Sequence, residues 1–96
     1  GVVTMASDNI ADKMIALVKE HTKKIDAAQT LDAFNAAYEA FKQALTEFSE
    51  KNAAEIAAFD KNISADDQKK YETELQKVMK QLEKTVEKKA MKFLGE

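Results

Sequence analysis

The sequence predicts an all-α fold, an antiparallel up-down-up bundle of three helices in which the second and third are long. Pro is absent and Gly occurs only as Gly1 and Gly95, so the interior of the chain has no strong backbone breaker. Ala, Lys, Glu, Gln and Leu are abundant, and all are good helix formers. Hydrophobic residues recur at helical spacing in three segments. At 96 residues, we interpret 1–96 as a single helical-bundle domain.

The first helix is expected to span residues 7–28. Ser7 or Asp8 can cap its start, because either side-chain oxygen can accept a hydrogen bond from a free N–H of the first turn. Its apolar face includes His21, the only histidine of the chain, whereas Ile15 lies off this face. The residues of the face are Ile10, Met14, Leu17, Val18, His21 and Ile25.

The second helix is expected to span residues 31–60, with Thr30 as its cap. A seam of hydrophobic residues at steps of three and four runs along it, formed by Leu31, Phe34, Tyr38, Phe41, Leu45 and Phe48. Asn52 interrupts the seam, and with Glu55 three residues later it can form a capping box that starts a new short helix. We favour one continuous or gently bent helix, because nothing breaks the backbone there.

The third helix is expected to span residues 65–94, with Ser64 as its cap and Asp67 at the reciprocal capping position. Gly95 suits the position just past its end. Its apolar face consists of Tyr71, Leu75, Val78, Met79, Leu82, Val86 and Ala90. The second helix is rich in acids and the end of the third is rich in lysines, which favours packing of these two helices against each other.

The composition excludes several classes of function. The absence of Cys excludes disulfides, zinc–thiolate sites and thiol catalysis. All 15 basic residues are Lys and the net charge is −2, which is not the pattern of a nucleic-acid-binding protein. No nucleophile–base pair can be named around His21, so we expect a protein that is not an enzyme. Because His21 is a single histidine and no Glu-x-x-His pair occurs, we also expect no cofactor and no metal. We interpret His21 as a half-buried core residue bonded to Tyr38 or to a nearby Glu.

One stretch resembles the start of a calcium-binding loop. Asp60, Asn62 and Ser64 stand at its first, third and fifth positions. The second half does not fit, because Ala65 stands where a sharp turn requires Gly and Tyr71 stands where a bidentate Glu is needed. We therefore interpret the stretch as a helix end, a short link and a helix cap.

The link between the second and third helices is the predicted interaction surface. These helices have about 30 residues each and extend for about 45 Å, whereas the first helix extends for only about 33 Å. The first helix should therefore start level with Ala53 and leave the tip of the bundle uncovered. We expect Val2, Val3 and Met5, or another molecule, to cover it. The predicted surface residues are Ile56, Phe59, Ile63 and Tyr71.

These observations predict a small non-enzymatic helical-bundle protein with a protein-interaction or structural role. Its partner is another protein or a second copy of itself. The alternative is a membrane-surface or lipid-associated protein that acts through the basic amphipathic third helix, residues 77–93. A lesser alternative is a carrier of a small hydrophobic ligand or haem, with His21 as an axial ligand.

The location of the protein in the cell is predicted from the N-terminus. The chain starts with Gly1 rather than Met, which a removed signal peptide explains. We therefore favour an exported protein, periplasmic or extracellular, over a cytoplasmic protein that starts at Met5.

Overall fold

The structure is a computed structural model that describes residues 9–95. Within this range the chain forms four helices and no strands. They are α1 (Ile10–Asp26), α2 (Leu31–Lys51), α3 (Ala53–Asn62) and α4 (Ala65–Leu94). The all-α class is therefore confirmed, but the three-helix bundle is wrong, because the segment 31–60 forms two helices instead of one long helix.

The division between α2 and α3 lies at Asn52, whose backbone leaves the helical region with φ −113° and ψ 19°. Its side-chain Nδ2 and its backbone N–H both donate to the carbonyl of Phe48, at 2.9 and 3.0 Å. Asn interrupts helices in this way because its side chain competes for nearby backbone groups. The alternative prediction, in which Asn52 and Glu55 form a capping box that starts a new helix, is confirmed only in part. A new helix starts, but in the described chain the Asn52 side chain does not cap it.

The predicted helix starts are confirmed for α2 and α4. Thr30 and Ser64 each accept a hydrogen bond from the backbone N–H three residues later, at 3.1 and 3.2 Å. The start of α1 differs, because Asn9 is its cap and accepts from the N–H of Asp12 at 2.8 Å. The predicted caps Ser7 and Asp8 lie outside the described residues.

The core is organised around α1, which lies between α2 and α4 and packs against both. Val18 and Ile25 are fully buried. Ile15, expected off the apolar face, is also buried, because a helix with neighbours on two sides buries a wider arc of its surface. The buried hydrophobic residues are Ile10, Ile15, Val18, Ile25, Ala28, Phe34, Phe41, Val78 and Leu82.

The main partner of α4 is α1 and not α2, in contrast to the pairing that the charges favoured. The amine of Lys89, which is itself buried, donates to the carbonyl of Ala28 at 3.0 Å and fixes the register of the two helices. An exposed ion pair between Lys88 and Asp26, at 3.8 Å, also joins α4 to α1. Exposed pairs of this kind contribute little to stability, so apolar burial on α1 decides which helices pack.

Candidate interaction surface at the tip of the bundle

All four residues predicted for the interaction surface line one cleft at the end of the bundle where α3 meets α4. Ile56 and Phe59 come from α3, Ile63 from the link and Tyr71 from α4. Each is half-buried. The rings of Phe59 and Tyr71 meet edge to face with centroids 5.7 Å apart. The tip of the bundle is therefore assembled from side chains that are only partly covered.

The first helix reaches this tip, in contrast to the expectation that it stops short of it. Ile10 is buried, and Nδ2 of Asn9 donates to the hydroxyl of Tyr71 at 2.7 Å. The expectation was wrong because it assumed a straight helix through Asn52. The interrupted helix instead places α3 in contact with α1. The part of the hypothesis that concerns Val2, Val3 and Met5 lies outside the described residues.

We call this cleft the tip cleft. It has a volume of about 210 Å³ and residues from all four helices. Asp60 and Glu72 are its two carboxylates, and both are exposed. The remaining lining is mostly apolar. The lining residues are Ile10, Ala11, Met14, Ile15, Phe48, Ile56, Phe59, Asp60, Ile63, Gln68, Tyr71, Glu72 and Leu75.

A second, wider cleft of about 540 Å³ shares Ile10, Phe59, Ile63 and Tyr71 with the tip cleft. Its other lining residues are mainly polar and comprise Asn9, Glu55, Ala58, Asn62, Ser64 and Asp67. Among the described residues, four carboxylates and no lysine line the two clefts together. The tip therefore combines an apolar interior with an acidic rim.

The charge is reversed farther along the bundle, in a groove of about 580 Å³ between α1 and α4. We call it the basic groove. Asp26 is its single acid among the described residues. Its lysines are Lys19, Lys23, Lys77, Lys84 and Lys88. Acidic and basic surfaces therefore lie at different levels of a molecule that measures 48 Å along its longest axis.

The stretch between α3 and α4 is a short link followed by a helix cap, as the sequence indicated, because Ser64 caps α4. Nδ2 of Asn62 donates to the carbonyl of Ala58 within α3 at 2.8 Å, so this amide serves its own helix. Among residues 9–95, no three His, Asp or Glu side chains are grouped so that they could hold a metal ion.

His21 lies in the core, 8% exposed, with its ring 5.7 Å from that of Phe41. Its buried Nδ1 has no hydrogen-bond partner among the described residues, so the expected bond from this atom to Tyr38 or a Glu is not made. Burial lowers the pKa of His21. The charge of Lys24 lowers it further, and that of Glu20 opposes the shift. Burial therefore favours the neutral form of the imidazole.

The apolar face of α4 is used inside the bundle. Val78 and Leu82 are buried, and Met79 and Val86 are half-buried. None of the four described helices combines the length and the apolar character that a membrane-spanning helix requires.

The aromatic residues of the hydrophobic seam on α2 differ in their burial. Phe34 and Phe41 are buried, whereas Tyr38 and Phe48 are half-buried. Phe48 lines the tip cleft, which the sequence analysis did not predict. The interruption at Asn52 was the sequence signal, because Phe48 is the last residue of the seam before it.

Comparison with protein-family models, with curated proteins and with solved structures gives no significant match. The function is therefore inferred from the geometry of this chain.

Proposed function

We propose that the protein is a non-enzymatic interaction module and that its tip cleft receives an apolar side chain of a partner protein. One observation supports this above all. Mostly apolar side chains from all four helices line this cleft, and its four predicted residues are only half-buried in the part of the chain that the structure describes. Protein interfaces commonly use such a pocket for a central apolar anchor, with polar residues at the rim.

The rim of the cleft defines the chemistry of the partner. Asp60 and Glu72 lie at the tip cleft, and Glu55 and Asp67 lie at the neighbouring one. Complementary charge selects partners and speeds their encounter more than it adds affinity. The proposed partner therefore presents a Leu, Met or Phe anchor flanked by Lys or Arg.

Selection from a displayed library of random peptides tests this proposal. The selected peptides are expected to combine an apolar residue with adjacent Lys or Arg. Ile56→Glu should weaken their binding about tenfold or more, because it places a carboxylate where the anchor is buried. Ala57→Glu is the matched control, since it makes the same charge change at an exposed position of α3 and should leave binding unchanged.

Circular dichroism of both variants shows whether each retains its helices. Recovery of no binding peptides, or of peptides that bind both variants equally well, would contradict the proposal. Peptides that are rich in Asp and Glu would contradict the proposed role of the acidic rim.

Attachment to an anionic membrane surface is the second candidate. It is supported by Met91 and Leu94, which are 71% and 66% exposed at the lysine-rich end of α4. The apolar face of α4 does not supply this contact, because Val78 and Leu82 are buried in the bundle. Sedimentation with phosphatidylserine vesicles tests the candidate, and salt should weaken the binding. Equal binding to neutral phosphatidylcholine vesicles would contradict it.

A further inference from the structure

The end of α4 has the chemistry that the tip cleft requires of a partner. Among the described residues, Met91 and Leu94 are the large hydrophobic residues that stay exposed. Both follow or lie within a strongly basic stretch, because residues 84–92 contain four lysines and one glutamate. The side chain of Lys88 is 73% exposed, and Lys92 is exposed as well.

This end cannot enter the tip cleft of its own chain. Tyr71 lines the cleft and Leu94 ends the same continuous helix, 23 residues later. A separation of 23 helical residues corresponds to about 35 Å. The amine of Lys89 also bonds Ala28, at the opposite end of α1 from Asn9, which holds this part of α4 far from the tip.

From these observations we infer that a second copy of this chain occupies the tip cleft through the end of α4. Met91 and Leu94 supply the apolar anchors. Lys88 and Lys92 lie against Asp60 and Glu72 at the rim. This inference rests on the proposed function of the tip cleft and names its partner.

The contact is heterologous, because one copy contributes its α4 end and the other contributes its tip cleft. Such contacts repeat along an open chain unless the rotation between copies closes a ring. Two side chains and one small cleft cover far less than the roughly 1,000 Å² typical of a stable interface, so each contact is weak. Association should therefore appear only at high protein concentration. Salt should weaken it, because salt screens the exposed charges.

A mixing experiment with the full chain separates this contact from other forms of association. Met91→Glu disables the α4 end and leaves the cleft intact. Ile56→Glu disables the cleft and leaves the α4 end intact. Each variant alone should sediment as a monomer at a concentration at which the unaltered chain associates. The mixture should form a one-to-one dimer and nothing larger, because only one productive contact remains.

Two further variants act as controls. Gln76→Glu makes the same charge change as Met91→Glu at another exposed position of α4, and it should associate like the unaltered chain. Glu72→Lys replaces Ile56→Glu if the latter loses its helices by circular dichroism, because residue 72 is exposed and its substitution leaves the apolar lining intact.

Four results would overturn the inference. In the first, the unaltered chain stays monomeric at every concentration, and in the second, either variant self-associates alone. In the third, the mixture of the two variants stays monomeric. In the fourth, the chain associates only after residues 1–8 are removed. The last result would show that this segment occupies the cleft. Binding to phosphatidylserine vesicles that Met91→Glu abolishes, without any self-association, would assign the α4 end to a membrane. The proposed function survives all of these results if library peptides still require Ile56.

Discussion

Both ends of the bundle carry large hydrophobic residues at helical spacing, but they are packed differently. In the C-terminal half of α1, away from the tip, Val18 and Ile25 are fully buried between neighbouring helices. At the tip, all ten residues of α3 are described and none is buried, although Ile56 and Phe59 continue the hydrophobic seam. The difference shows that helical spacing selects the face of a helix, whereas the number of neighbouring helices decides how completely that face is covered. Among residues 9–95, the hydrophobic residues at the tip are therefore covered less completely than those around Val18 and Ile25.

The largest expected effect tests this difference directly. Ile25→Ala should lower the free energy of unfolding by about 3 kcal/mol, because it leaves a cavity in a fully packed site. Ile56→Ala makes the same truncation at a half-buried site and should cost about 1 kcal/mol, since solvent can fill the space. Urea denaturation of both variants measures the two losses. Equal losses would show that the tip is packed as tightly as the core.

A second substitution tests what holds α4 in register at the end away from the tip. Lys89→Met keeps most of the buried side-chain stem but removes the ammonium group that donates to the carbonyl of Ala28. The unpaired carbonyl should lower the free energy of unfolding by about 2 kcal/mol. Lys84→Met, at an exposed position of the same helix, is the control and should change stability by less than about 0.5 kcal/mol. A similar loss of stability in both variants would show that the bond from Lys89 to Ala28 does not contribute specifically to stability.

The third effect is confined to acidic solution and concerns His21. Because burial lowers its pKa in the folded state, the unfolded chain binds a proton at a higher pH than the folded chain does. The free energy of unfolding should therefore be independent of this group above the ordinary pKa of 6.5 and should fall as the pH decreases below it.

The variant His21→Leu isolates this contribution, because it removes the imidazole and keeps every other titratable side chain. The stability of the unaltered chain should decrease relative to that of His21→Leu as the pH falls below 6.5. Urea denaturation at a series of pH values measures the difference. A difference that does not change with pH would show that the folded protein accommodates a protonated His21.

Local signals in the sequence predicted much of the fold. The caps at Thr30 and Ser64 depend on a side chain and a backbone N–H three residues away, so they can be recognised without knowledge of the bundle. The extent of α4 follows from the same cap and from an uninterrupted pattern of helix formers. The burial of Ile15 was missed, because it depends on a second helix that packs beside α1.

The candidate site was predicted in part for the same reason. The tip residues from α3, the link and α4 are close in the sequence, and the structure places all of them in one cleft. The contribution of Ile10 and Met14 was missed, because it depends on the register of α1 against α4. That register depends on contacts between distant residues, such as the bond from Asn9 to Tyr71.

The smallest expected effect concerns the junction that the sequence analysis interpreted as a continuous helix. Asn52→Ala removes the side chain that bonds Phe48 and introduces the best helix former, so α2 and α3 should join. Stability should increase by about 0.5 kcal/mol. Amide hydrogen exchange at residues 53–55 should become slower, because these N–H groups then lie within an unbroken helix.

The matched control for this variant is Asn62→Ala, which also removes an Asn side chain bonded to the carbonyl four residues earlier. It lies at the end of α3 and should leave the exchange of residues 53–55 unchanged. A joined helix no longer turns α3 towards α1, so Asn52→Ala should also weaken the binding of library peptides at the tip cleft. Exchange at residues 53–55 that does not become slower would show that α2 and α3 stay separate. Unaffected peptide binding would show that the tip cleft forms independently of the interruption at Asn52.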